Sequence, residues 1–128
     1  MEYLVTLDGA DGKDGESGTS VVLNLTNDSA TFAYDYINKK AKINENDNST
    51  SINLLVNESK VVPSSITIGG NKTTTDNLGT TQQYKLTENA EYVNYTVSGT
   101  EKTWNVTITD ININTYCTVI AIPITVSY

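Results

Sequence analysis

The chain has 128 residues, a net charge of −7 at pH 7, eight basic residues that are all lysine, no histidine and one cysteine. That length suits one domain able to bury a core without staples. Without histidine no Ser-His or Cys-His catalytic pair is possible, and without arginine the bidentate forks that hold phosphate are missing, which argues against nucleic acid as a partner. Cys117 has no partner for an intrachain disulfide, and no apolar stretch approaches the ~20 residues that span a bilayer.

Thr, Asn and Ser fill the place of missing hydrophobic residues. They disfavour helices and, with Val, Ile and Tyr, suit strands joined by polar turns. Residues 1–8 form a leader strand or the remnant of an upstream region, and Met1–Leu7 lacks the basic start of a signal peptide. Gly9, Gly12, Gly15 and Gly18 then recur at every third position. This is the register a collagen triple helix needs, because only glycine fits at its axis. Residues 9–20 therefore read as a short collagen-like stem or as a flexible linker. Extended, they would reach roughly 35 Å.

From Val21 to Tyr128 the pattern has period two. Val21, Leu23 and Leu25 alternate before a turn at Asn27-Asp28-Ser29. Phe32, Tyr34 and Tyr36 mark a second strand, and 37–50 reads as a long polar connection. Ile52, Leu54 and Val56 follow, with a turn at Asn57-Glu58-Ser59, then Ile66 and Ile68 before Gly69-Gly70. Residues 70–81 look least ordered. Tyr84 and Leu86 restore alternation, and beyond Glu88-Asn89 come Val93, Tyr95 and Val97. Ser98-Gly99-Thr100 predicts a hairpin to Trp104, Val106 and Ile108. Ile120, Ile122, Ile124, Val126 and Tyr128 close the chain, and Pro123 marks a sheet edge or bulge. Seven to nine such strands predict an antiparallel β-sandwich over 21–128.

The chemistry this pattern offers is sparse. The carboxylates scatter through turns, which predicts no catalytic residues and no enzyme activity. Asp8, Asp11 and Asp14 follow the glycine triplet and miss the spacing of a calcium loop, so no metal or other cofactor is expected. Tyr34, Tyr36, Tyr84 and Tyr92 could stack on a sugar ring, while Trp104 is expected in the core. Asn24, Asn27, Asn48, Asn57, Asn71, Asn94 and Asn105 begin glycosylation sequons. In so Asn- and Thr-rich a chain these read as compositional, and within strands a glycan would obstruct packing.

Glycine triplets leading into SVVLNLTNDSATFAYD resemble a module in tail proteins of phages infecting Gram-positive and gut bacteria. There a collagen-like Gly-x-Asp run precedes the opening strand of an immunoglobulin-like domain. The matching stretch here is Val22–Phe32, with further similarity at Thr103–Ile111 and Tyr116–Tyr128. The resemblance implies an immunoglobulin-like sandwich in a tail fibre, baseplate or host-adhesion protein, located in the virion. It also implies a homotrimer formed through the stem and adjoining modules, other tail proteins as partners, and contact with a host-surface glycan. Two departures stand against it: no further module follows the last strand, which reads as an excised piece, and the tyrosine-corner spacing is missing, with Cys117 unpaired. A carbohydrate-binding module and an immunoglobulin-like repeat of a bacterial surface adhesin are the alternative readings.

Overall fold

A computed structural model describes residues 1–8, 21–86, 91–100, 103–113 and 120–128. The stem glycines, the Glu88-Asn89 turn, Tyr116 and Cys117 lie outside them. The described residues are built from strands and one 3-10 turn. None of their helical structure is long and apolar enough to cross a membrane.

The larger sheet follows the order β2 (Val21–Leu25), β5 (Ser49–Val56), β11 (Thr103–Asn112), β10 (Tyr92–Thr100) and β9 (Thr81–Lys85), with β6 (Ser59–Val61) also on β5. All of its pairings are antiparallel. The alternation predicted from sequence decides which face is covered. Ile52, Leu54, Val93, Tyr95, Val97, Trp104, Val106 and Ile108 are buried, while the Ser, Thr and Asn residues between them face outward. The β10–β11 hairpin needs Gly99, because a Cβ there would lie 2.6 Å from the Thr103 carbonyl oxygen and 2.7 Å from the Trp104 ring.

One irregularity keeps β11 in the core. Asn94 pairs with Asp110 but Tyr95 pairs with Ile108, so Thr109 is an extra residue opposite β10. A side-chain period of two would otherwise send Ile111 and Ile113 outward. The bulge resets the parity, and both isoleucines are buried.

The smaller sheet follows the order β1 (Glu2–Asp8), β12 (Ala121–Ser127), β7 (Ser65–Ile68) and β8 (Asn71–Thr73). Its inner residues Ile66, Ile68, Ile122, Ile124 and Val126 pack in one cluster with those of the larger sheet, which makes the architecture a two-layer sandwich. The layers are also tied at an edge. There the Gln82 side-chain amide donates to Thr73 Oγ1 at 2.6 Å, and the Asn71 amide donates to the Gln83 carbonyl at 2.6 Å.

Four differences from the sequence reading have physical causes. Residues 1–8 belong to the sandwich, so the sheet begins at residue 2: β1 lies parallel to β12, with Glu2 opposite Ala121 through to Asp8 opposite Ser127. Met1 and Tyr3 are buried in the shared core. The polar 37–50 connection contains β4 (Lys40–Ile43), which pairs with β3 (Phe32–Asp35) because Ala41 and Ile43 face inward between lysines. Residues 70–81 hold β8 and the 3-10 turn Thr75–Asn77, closed by a reciprocal Thr74/Asn77 capping box. Pro123 sits in β12 between two neighbours, and β7 begins pairing only at Ile124, so the proline stands just past that neighbour's end.

The strand order also departs from the immunoglobulin arrangement, in which the last two strands, F and G, share one sheet. Here β11 and β12 lie in different sheets.

The register defines two poles. β1 and β12 both run from an upper pole, near Glu2 and Ala121, to a lower one, near Asp8 and Ser127. β2 runs the opposite way, since its continuation at Ser29 forms an antiparallel bridge with Glu2 at the upper pole. Asp8 and Val21, the two flanks of the glycine segment, therefore lie at the same pole in different sheets.

Candidate functional site

The β3–β4 hairpin is the most prominent surface feature. Asn48 lies beside Ile108, with the Ile108 N–H donating to its carbonyl at 2.8 Å. The Ala41 N–H donates to the Ile113 carbonyl at 3.3 Å. Moving back from Asn48 to Ala41 thus follows β11 to its end, and the turn at 36–39 continues beyond it, past the upper pole.

Asp35 makes this turn stiff. One carboxylate oxygen accepts the Ile37 N–H at 2.9 Å and the Asn38 N–H at 3.2 Å, and the other accepts the Asn38 side-chain amide at 2.7 Å. The Asn38 side chain and the two backbone donors hold the Asp35 carboxyl below the usual carboxylate range. Lys39 completes the turn at φ +55°, a region costly for any residue but glycine.

The turn presents apolar groups to water. Ile37 is 92 % exposed and Tyr36 70 %. Tyr34 and Tyr36 meet edge to face, with centroids 5.1 Å apart and planes at 76°. Lys39, Lys40 and Lys42 are exposed on the same hairpin, so a cationic tip projects from a chain of net charge −7. An apolar point among lysines suits a partner carrying negative charge beside a hydrophobic or ring surface.

Tyr34 and Tyr36 are therefore brought together, but Tyr84 and Tyr92 lie on other strands. Tyr84 is half-buried beside the core, and its ring would meet a Cβ at Gly69 at 2.8 Å; that glycine turns the chain at φ +59°. Tyr92 pairs with Lys85, and Tyr84 with the buried Val93, so neighbouring strand positions send the two rings to opposite faces. Trp104 is fully buried. Sequence reading missed Ile37, although the Asp-x-x-Asn turn that lifts it is legible at residues 35–38.

The outer face of the larger sheet forms a second polar surface whose groups satisfy one another. Ser51 Oγ donates to Asn105 Oδ1, Thr103 Oγ1 to Asn53 Oδ1 at 3.4 Å, and the Thr81 and Thr96 hydroxyls lie 3.1 Å apart. Asn105, in a sequon, stands in this ladder, so a glycan there would meet the outward ladder and leave the core untouched. Among the described residues no group of three Asp, Glu or Cys side chains is placed to hold a metal ion.

No family model, no curated protein and no solved structure matches the chain.

Proposed function

We propose that the chain is a non-enzymatic spacer and display module of a phage tail fibre or baseplate protein. The observation that carries this reading is the parallel pairing of β1 with β12. The first strand starts at one pole and the last strand ends at the other, so each copy inserted in a longer chain adds its own length. The β3–β4 tip supplies the display element, and contact with an anionic host-surface glycan is its proposed use.

The same geometry bears on the glycine triplets. A triple helix over residues 9–20 would part Asp8 from Val21 by roughly 35 Å, whereas packed sheets lie ~10 Å apart. With both flanks at one pole of one sandwich, we favour the linker reading of the triplets over the stem and assign trimerisation to other modules of the fibre.

Light scattering tests this. The expected mass is that of a monomer, unchanged by Gly12→Ala with Gly15→Ala, and the melting temperature should barely move. A trimer that dissociates in the double variant would restore the stem. Display is tested by binding to host cell walls, where Ile37→Ser should weaken binding while leaving melting unchanged; equal binding by both proteins would exclude the tip.

A further inference from the structure

We infer that the β1–β12 pair is a load-bearing clamp, which makes the module a mechanical element of whatever chain contains it. The inference rests on the spacer reading for its biological setting, but its physical basis is the ladder alone. Tension between the first and last residues pulls Met1 away from the upper pole and Tyr128 away from the lower one. Because the two strands are parallel neighbours, these forces act along the strand axis in opposite directions. They shear the ladder, so the seven registered positions from Glu2/Ala121 to Asp8/Ser127 share the load.

The hydrogen bonds span the whole length of the pair. The Glu2 N–H donates to the Ile120 carbonyl at 2.7 Å at one end, and the Tyr128 N–H donates to the Asp8 carbonyl at 3.2 Å at the other. Parallel strands alternate their donors evenly along the ladder, so the N–H groups of Leu4 and Thr6 also face β12. Side chains reinforce the lock: Met1 and Tyr3 are buried, and Val5 and Leu7 pack against the same core. Sliding β1 along β12 would drag these four out of register together. The other flank of β1 is also fastened at the loaded end. The Met1 amino group donates to the Ala30 carbonyl at 2.7 Å, the Ala30 N–H donates back to Met1 at 2.8 Å, and the Tyr3 N–H donates to Asp28 at 3.0 Å.

The test is single-molecule force spectroscopy on the full chain carrying Cys117→Ser, pulled in two geometries. Handles at residues 1 and 128 load the pair in shear. Handles at residue 1 and at Ala121→Cys, which lie at the same pole, peel it one position at a time. The expected result is a rupture force several-fold higher in shear than in peeling. Thr6→Pro, which removes one inward donor from β1, should lower the shear force and leave the peeling force nearly unchanged. Equal forces in the two geometries would overturn the clamp, and that comparison does not depend on whether Thr6→Pro folds. A weak clamp would leave the spacer reading standing, since solution mass and cell-wall binding decide that separately.

Discussion

The two sheets solve the same problem by opposite routes. In the larger sheet the longest pairing, β10 with β11, joins strands that are neighbours in sequence, and each residue's partner is set by a hairpin a few positions away. In the smaller sheet β1 is paired with β12, the most distant strand available. The local pair brings Trp104, Val106 and Ile108 against Val93, Tyr95 and Val97, all buried. The distant pair is thinner, with an outer row of exposed residues at Glu2, Leu4, Thr6 and Asp8. The largest buried side chains thus sit where pairing is local, whereas β1 brings to its distant partner backbone bonds, the buried Met1 and Tyr3, and the partly buried Val5 and Leu7.

Substitutions should separate the two routes by size. Trp104→Ala removes the largest fully buried side chain and is expected to cost about 3–5 kcal/mol. Chemical denaturation with a lowered midpoint and an unchanged slope would identify loss of packing; a cost under 1 kcal/mol would show that the core does not centre on this hairpin. Thr6→Pro strips one ladder bond from the edge and leaves a carbonyl of β12 unpaired, for an expected cost of about 2 kcal/mol. A cost equal to that of Trp104→Ala would erase the contrast between the sheets.

The smallest effect falls on Tyr3. Its hydroxyl is buried and has no hydrogen-bond partner among the described residues. Tyr3→Phe should therefore be neutral or stabilise by about 1 kcal/mol at pH 7. Burial, with a further contribution from the Asp47 charge, pushes the Tyr3 pKa up to about 12 from its ordinary 10.0. The unfolded chain releases this proton first, so the stability attached to neutral Tyr3 is complete below pH 10 and is lost as the pH rises toward 12. Tyr3→Phe should flatten that alkaline decline; an identical decline in both proteins would assign it to another group.

Much of this contrast was legible before the structure. Period two located β2, β3, β5, β7, β9, β10, β11 and β12, because each carries large apolar residues at alternate positions, with Val22 and Leu55 the departures. The bulge was also written in the sequence: the apolar positions switch from even numbers at Trp104, Val106 and Ile108 to odd ones at Ile111 and Ile113. β4 was hidden because its inward residues are a small Ala41 and one isoleucine among lysines. β8 was hidden because Thr73, its buried residue, is polar. The partner of β1 could not be read at all, since parallel pairing across the whole chain leaves no turn and no local spacing. At the candidate site the tyrosines were visible as residues, but whether they share a surface depends on strand order and register, which composition does not carry.

The parallel edge also has a consequence in time. During synthesis β1 is made first and its partner β12 last, so Tyr3, Val5 and Leu7 wait without a place to dock while the rest of the sandwich forms. A contact that closes late is absent from the folding transition state, and such contacts govern the rate of unfolding far more than the rate of folding. Substitutions in the β1 edge are therefore expected to speed unfolding more than they slow folding.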